Sequence, residues 1–161
     1  MLVTLNWSSY DRGSALATYS TKKANREETV KEFFPQAWRN QLARIDRQQV
    51  EQWSFGVIGL DPSARVVLFN KAEERLSGLP KSDVVGKDFF VEVAPCTASR
   101  LFRGRYQRAR DLGGLDEHFF YTFTYRIRPV SAHIHMLYDG KQSPLVFIFL
   151  DRVVPLFEDL G

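Results

Sequence analysis

Residues 86–97 read GKDFFVEVAPCT, and they contain the only cysteine of the chain, Cys96. Gly86 is expected to end a short helix, and the residues from Phe89 to Cys96 are predicted to form a loop. Pro95 stands directly before the cysteine. Because a single cysteine cannot form an internal disulfide, the sequence favours a reducing compartment, and we expect a cytoplasmic protein.

Helices are predicted on both sides of this loop. Upstream, Asn70 stands at the N-cap of a helix, with Glu73 at the third helical position, which is the spacing of a capping box. Downstream, Thr97 or Ser99 is expected to cap a second helix. A helix that begins just after Cys96 would place the positive end of its dipole near the sulfur and favour the thiolate.

Five strands are predicted around these helices from their turn signals and their β-branched and aromatic residues. The first two form a hairpin around the turn at residues 61–64, and the other three follow the helices. The predicted strands are residues 54–60, 65–69, 119–128, 132–138 and 145–154. Helices inserted between strands of a single antiparallel sheet define an α+β domain, which is the fold class we expect.

The rest of the chain is predicted to form an arm, a cap and a tail. Residues 1–25 are rich in Ser, Thr and charge, without a clear period. Apolar residues recur at helical spacing over residues 26–52, and Pro35 is expected to divide this run into two helices. We assign the chain to an N-terminal arm and helical cap (1–50), a core domain (51–154) and a C-terminal tail (155–161).

The composition is that of an ordinary globular domain. The 161 residues are 44% hydrophobic and 25% charged, and a formal net charge of +3 is too small to indicate nucleic-acid binding. The longest apolar run, residues 144–150, is too short to cross a bilayer, so no membrane partner is expected. Aromatic residues make up 14% of the chain, which suggests a core or pocket lined by rings.

Several segments, in this order along the chain, are similar to one known family. They are Phe55-Gly56, residues 86–90, residues 93–97, residues 121–125 and His135-Met136. Together they resemble the photoactive yellow protein family, whose members have a PAS fold. The most specific of them is the cysteine segment in register with the Gly-Lys-x-Phe-Phe segment before it. A PAS fold alone would say little about function, because PAS domains bind many ligands or none.

The resemblance implies a blue-light sensor that is not an enzyme. It implies that Cys96 carries 4-hydroxycinnamic acid as a thioester. It also implies that Glu73 is a buried, protonated acid that donates to the phenolate of this group, and that Ser77 contributes a hydroxyl to the same network. Phe123 and Tyr125 would line the pocket, in keeping with their period-two spacing on one sheet face.

Two residues depart from the family's pattern and leave an alternative open. The tyrosine that binds the phenolate in the family is Phe69 here, and the arginine that covers the pocket is Leu79. Losing one hydrogen bond to a charged acceptor costs about 1.5–3 kcal/mol, which should raise the pKa of the ring. The alternative is a non-photoactive PAS accessory, ligand-binding or interaction protein that has lost or repurposed the pocket.

Other interpretations also remain. Cys96 would be an inert thiol in many proteins, and Glu73 would be an exposed partner in a capping box. An acyl-thioester carrier or enzyme that works through the cysteine is not favoured, because no general base is evident nearby in sequence. His133 and His135 share a strand face, but no metal site is expected, because no Cys or acidic residue has the matching spacing.

The partners expected from the sequence are a small aromatic acyl ligand and a downstream protein of unknown identity. The apolar residues Phe33, Phe34, Trp38 and Leu42 must cover an apolar surface. The N-terminal helices are therefore expected to cap the pocket or to pair two chains in a homodimer.

Overall fold

The described part of the chain folds around one five-stranded antiparallel sheet. The computed structural model describes residues 34–124 and 129–152. The strands are β1 (Gly56–Leu60), β2 (Val66–Phe69), β3 (Gly114–Phe123), β4 (Val130–Asp139) and β5 (Val146–Arg152). Their order across the sheet is β2-β1-β5-β4-β3, and all neighbours are antiparallel. The predicted α+β fold is confirmed, although β3 begins at Gly114 rather than at Phe119.

Helices precede the sheet and connect β2 to β3. The α-helices of the described residues are α1 (Arg47–Glu51), α2 (Lys71–Ser77) and α3 (Arg103–Leu112). Short 3₁₀-helices span Gln36–Arg44, Lys81–Asp83 and Pro95–Thr97, and a π-helical turn spans Phe89–Val93. In residues 34–124 and 129–152, no helix has both the length and the apolar character that crossing a membrane requires.

The ends of α2 agree with the sequence pattern. The Asn70 side chain accepts a hydrogen bond from the Glu73 amide, with Oδ1 and N 3.0 Å apart. Gly78 ends the helix in the left-handed region, with φ of 71°, which glycine adopts without steric cost. These two residues place Glu73 in the first turn of the helix, directly above β1.

The segment around Cys96 differs from the prediction. It is not an irregular loop, because the π-helical turn Phe89–Val93 is followed by the 3₁₀-helix Pro95–Thr97, in which proline occupies the first position. The Thr97 hydroxyl donates to the backbone carbonyl three residues before it and is therefore not an N-cap. The next α-helix begins only at Arg103, and in the turn before it the hydroxyl of Ser99, the other predicted cap, accepts from the Phe102 amide at 3.3 Å. The predicted helix N-terminus beside the cysteine is therefore wrong.

The two faces of the sheet carry separate apolar clusters, because successive strand residues point to opposite sides. The inner face, on which α2 and α3 lie, carries among others Ile58, Leu60, Phe69, Phe123, Ile134, Met136, Ile148 and Leu150. The outer face carries Val57, Leu68, Leu137, Phe147 and Phe149. The inner face also receives Phe102 and Tyr106 from α3 and the turn before it.

Residues 34–52, the cap segment, cover the outer face. Phe34, Leu42 and Val50 are buried there, and the Phe34 ring stacks on Phe149 with centroids 4.0 Å apart. The predicted need of these residues for an apolar surface is therefore met by the outer face. The expectation that this segment caps the pocket is wrong, because the cavity described below lies on the inner face. Phe33 lies outside the described residues.

Candidate functional site

Glu73 is a carboxylic acid buried on the inner face. Its side chain is 2% exposed. Within the described residues, its Oε2 atom has no hydrogen-bond partner. Burial raises the pKa of this carboxyl from 4.5 to about 8, because the charged form loses its hydration. Glu73 is therefore protonated at neutral pH and carries a proton that it can donate.

The carboxyl of Glu73 does not form the return half of a capping box. The Asn70 amide, which a capping box would pair with Glu73, donates instead to the Val57 carbonyl at 3.2 Å. Gly56 makes room for the carboxyl, since a Cβ atom built there would lie 2.0 Å from Glu73 Oε2. The interpretation of Glu73 as an exposed cap partner is therefore wrong, and its carboxyl lies against β1.

A small, mostly apolar cavity lies beside this carboxyl. It is lined by Glu73, Leu76, Ser77, Phe123, Val130, Ala132 and Leu150. Its free volume of about 10 Å³ is close to the space that one water molecule needs. An aromatic ring could occupy this position only if some of the lining side chains moved.

Ser77 lines the cavity, but its hydroxyl bonds within its own helix. Ser77 Oγ donates to the Glu73 backbone carbonyl at 2.7 Å and accepts from the Leu79 amide at 3.2 Å. These two bonds complete the last turn of α2. The hydroxyl therefore holds the chain beside the cavity and makes no hydrogen bond to the Glu73 carboxyl in this structure.

The other residues implied by the resemblance lie at different distances from this cavity. Phe123 is buried and is part of the lining. Phe69 is 2% exposed and packs within the inner cluster, outside the lining of the cavity. Leu79 is partly buried and packs against the same cluster. Tyr125 lies outside the described residues.

Cys96 borders the same inner cluster from the 3₁₀-helix Pro95–Thr97. Its side chain is partly buried and packs against the cluster to which Phe123 belongs. The Tyr121 hydroxyl donates to the Cys96 carbonyl at 2.5 Å, and the Tyr121 and Phe123 rings are 5.2 Å apart. A continuous path of contacts thus joins the backbone of Cys96 to the wall of the cavity beside Glu73.

Sequence reasoning missed the roles of Tyr121 and Gly56. Tyr121 belongs to the segment 121–125 that resembles the family, and its period-two spacing from Phe123 places both on one face. Nothing in the pattern showed that its hydroxyl reaches the backbone of Cys96. Gly56 belonged to a segment that resembled the family, but its close approach to Glu73 depends on how α2 packs on β1.

Comparison with known proteins first defines the class. The family model for the PAS fold matches residues 45–153. The solved LOV protein of Rhodobacter sphaeroides matches with a TM-score of 0.55 at 14% identity. The matched region is 78% of this chain and 72% of the LOV chain. At that identity, the likeness shows the fold alone. The chain is a PAS domain with a buried acid on its inner face.

More similar proteins define the family. The photoactive yellow protein of Halochromatium salexigens is 41% identical over 97 residues, which are 60% of this chain and 78% of the relative. The photoactive yellow protein of Cereibacter sphaeroides is 36% identical over 116 residues, which are 71% of this chain and 90% of the relative. The solved photoactive yellow protein domain of the sensor histidine kinase Ppr from Rhodospirillum centenum has a TM-score of 0.64 at 32% identity, covering 70% of this chain and 98% of that domain. This chain belongs to the photoactive yellow protein family, a family of photosensors.

Proposed function

We propose that this protein is a blue-light sensor that carries a 4-hydroxycinnamoyl group as a thioester on Cys96. The observation that carries the proposal is the buried carboxyl of Glu73, whose Oε2 atom lacks a partner in the described part of the chain. A buried acid that stays protonated at neutral pH is suited to donate a hydrogen bond to a buried phenolate oxygen. Membership of the photoactive yellow protein family supports the same assignment.

Cys96 is the proposed attachment point. Its thiolate would attack the carbonyl carbon of an activated acyl donor, such as a coenzyme A thioester. A carbon–sulfur bond to Cys96 forms, the coenzyme A thiolate leaves, and the proton of the Cys96 thiol passes to solvent. The partly buried position of Cys96 beside the inner cluster supports this role, since the sulfur is close to an apolar environment.

Glu73 is the proposed proton donor. When bound, the cinnamoyl group supplies absorption of blue light and isomerisation about its double bond. Glu73 would hold a proton on its carboxyl in the dark and, after light absorption, transfer it to the phenolate oxygen of the group, which would become a neutral phenol. The resulting carboxylate would be buried without hydration, which is costly, and the packing of α2 on β1 would loosen.

The second candidate is a PAS protein without photochemistry that binds a small aromatic acid or a protein partner. Two observations favour it. Phe69 offers no hydroxyl where the resemblance implies a tyrosine, and the cavity beside Glu73 has a free volume of only about 10 Å³. Both candidates use the same inner face, and they differ in whether Cys96 carries an acyl group that responds to light.

Intact-mass measurement separates the two candidates. The full chain, incubated with 4-hydroxycinnamic anhydride or the coenzyme A thioester, should gain one acyl group and an absorption band in the visible range. Cys96→Ala should gain neither. Equal addition to both proteins, or no addition to either, would rule out the proposed attachment. Addition without a visible band that light bleaches would favour the second candidate.

An absorption titration tests whether Phe69 faces the bound ring. Without a hydroxyl at this position, the phenolate loses a donor, which favours the neutral phenol and raises the ring's pKa. Phe69→Tyr should therefore lower the pKa of the acylated protein and enrich the longer-wavelength form. Leu68→Tyr, on the outer face, is the position-matched control. If Phe69→Tyr leaves the titration unchanged, the ring lies elsewhere.

The proposed sensor would act in the cytoplasm through a downstream protein. PAS sensor domains act on ligands and on downstream partners, and a single thiol suits a reducing compartment. A homodimer through the N-terminal segment is also part of the proposal, and sedimentation of the full chain in the dark and in the light tests it. Identical sedimentation of a monomer in both states would remove the dimer from the proposal.

A further inference from the structure

Three side chains that can bind a metal meet on the outer face, where β3 pairs with β4. They are Asp116, His118 and His135, and one ligand atom from each lies within 4.8 Å of those of the other two. The register places His118 directly opposite His135. Asp116 lies two residues before His118, and therefore on the same face of β3. The pairing of the two strands thus gathers three donors on one side of the sheet.

We propose that Asp116, His118 and His135 bind a divalent transition-metal ion such as Zn²⁺ or Ni²⁺, with solvent water completing the coordination. Two imidazoles and one carboxylate are a donor set that such ions accept. Mg²⁺ and Ca²⁺ are disfavoured, because they prefer oxygen ligands and two of the three donors are nitrogen.

The distances are compatible with an ion after small side-chain rotations. Ligand atoms lie about 2.0–2.2 Å from Zn²⁺, which puts the donors of a tetrahedral site about 3.4 Å apart. His118 and His135 are stacked, with ring centroids 3.9 Å apart and an interplanar angle of 15°. Both rings must turn to direct a nitrogen at one ion. Asp116 Oδ1 is already 2.8 Å from His135 Nε2.

The surroundings of His135 support a ligand role. Its side chain is fully buried, and the rings of Phe34 and Phe149 pack against it with centroids 5.5 and 5.7 Å away. Within the described residues, its buried Nδ1 atom has no hydrogen-bond partner, while Nε2 contacts Asp116 Oδ1. An imidazole nitrogen without a hydrogen bond is available as a metal ligand.

Asp116 connects this cluster to solvent and to the cap segment. Its side chain is 37% exposed, so an ion can reach it from water. It also forms an ion pair with Arg39, which lies in the 3₁₀-helix Gln36–Arg44 of the cap segment. The guanidinium and a metal ion would compete for the same carboxylate, since two positive charges close together repel. Metal binding would therefore weaken one contact that holds the cap segment on the sheet.

Calorimetric titration of the full chain with Ni²⁺ and with Zn²⁺ tests the site. One ion per chain is expected. His118→Ala and Asp116→Asn should each weaken binding by about tenfold or more, because even residues that only orient metal ligands contribute that much. His133→Ala is the matched control, since His133 is the neighbouring histidine on the same face of β4 and packs on Phe120. It should bind as the native chain does.

The outcomes are distinguishable. Equal binding by the native chain and His118→Ala would overturn the proposal, and so would loss of binding in Cys96→Ser, which would place the ion on the thiol. His118 is only partly buried, and thermal melting without metal checks that its variant is folded. Because Arg39 competes for Asp116, Arg39→Gln should bind the metal several-fold more tightly. Unchanged or weaker binding would exclude Asp116 as a ligand.

Discussion

The two faces of the sheet each bury one titratable side chain, but in different ways. On the inner face, Glu73 Oε2 has no hydrogen-bond partner within the described ranges, and burial raises the pKa of the carboxyl to about 8. On the outer face, His135 Nε2 donates to Asp116 Oδ1 at 2.8 Å, and burial lowers the pKa of the imidazole to about 4. Both groups are kept neutral, yet only the acid retains a proton with no acceptor.

This difference has opposite consequences for stability at different pH. The contribution of Glu73, whose pKa is raised, is fully present below about pH 4.5 and is lost as the pH rises through about 8. The contribution of His135, whose pKa is lowered, is fully present above about pH 6.5 and is lost as the pH falls through about 4. Glu73 on the inner face therefore contributes more to stability at low pH, and His135 on the outer face contributes more at high pH.

The largest expected effect on stability comes from removing the Phe34 ring from the outer face. Phe34 is 1% exposed and packs on both Phe149 and His135. Phe34→Ala should lower the free energy of unfolding by about 3–5 kcal/mol, because a buried ring leaves a cavity. Water would then reach His135, and its pKa should rise towards 6.5. Urea unfolding and an NMR titration of the imidazole measure the two effects.

Phe120→Ala is the control for this change. Phe120 lies on the same face but is 45% exposed, so its loss should cost about 0.5 kcal/mol or less. Equal destabilisation by the two variants would show that Phe34 is not buried against the outer face in solution.

The next effect concerns the inner face. Between about pH 5 and pH 8 the unfolded chain releases the Glu73 proton while the folded chain keeps it. This group therefore reduces stability by about 1.4 kcal/mol per pH unit as the pH rises. Glu73→Gln is neutral in both states and should lose correspondingly less stability over this range. Urea unfolding at several pH values measures the difference. Glu74 is only partly buried, and the Glu74→Gln control should show the pH profile of the native chain. Parallel profiles for Glu73→Gln and the native chain would contradict the burial of a neutral acid.

The corresponding test of His135, on the outer face, should show the opposite dependence of stability on pH. As the pH falls from 6.5 towards 4, the unfolded chain binds a proton at His135 that the folded chain excludes, so stability decreases. His135→Phe keeps a ring beside Phe34 and Phe149 and removes the titration. It should therefore lose less stability in acid, by at most about 1.4 kcal/mol per pH unit. His133→Phe, at the partly buried histidine on the same face, is the comparison, and an equal effect of both variants would mean that burial does not distinguish the two histidines.

The smallest effect concerns the space that Gly56 leaves for Glu73. An added Cβ would lie 2.0 Å from Glu73 Oε2, so Gly56→Ala must displace the carboxyl. We expect a loss of about 1–3 kcal/mol, typical of overpacking, and a fall in the pKa of Glu73 if the carboxyl reaches water. Thermal melting and a pH titration of stability measure both. At Gly104, in α3, an added Cβ would lie 4.0 Å from Arg100 Cβ, an ordinary contact distance, so Gly104→Ala should be neutral or slightly stabilising. If Gly56→Ala is equally neutral, the carboxyl does not lie against β1.

Local patterns predicted the elements better than their ends. The hairpin of β1 and β2 and the cap of α2 at Asn70 follow from a few neighbouring residues, and the structure confirms them. The start of α3 predicted at Thr97 was wrong, because the Thr97 hydroxyl donates to a carbonyl of the preceding turn. Ser99, the other predicted cap, accepts from the Phe102 amide in the turn before the helix. A capping residue signals a possible start, and the competing hydrogen bonds of the folded chain decide whether it is used.

The order of the predicted elements indicated the α+β class, and the PAS fold was implied by the family resemblance. The alternation that places Tyr121 and Phe123 on one face and the cap that starts α2 could be predicted because they depend on residue types within a few positions of the chain. The tertiary structure alone decided that Glu73 is buried and protonated rather than an exposed cap partner, and that His118 lies opposite His135. Burial and cross-strand register depend on atoms from distant segments, and the pKa of a buried group depends on them as well.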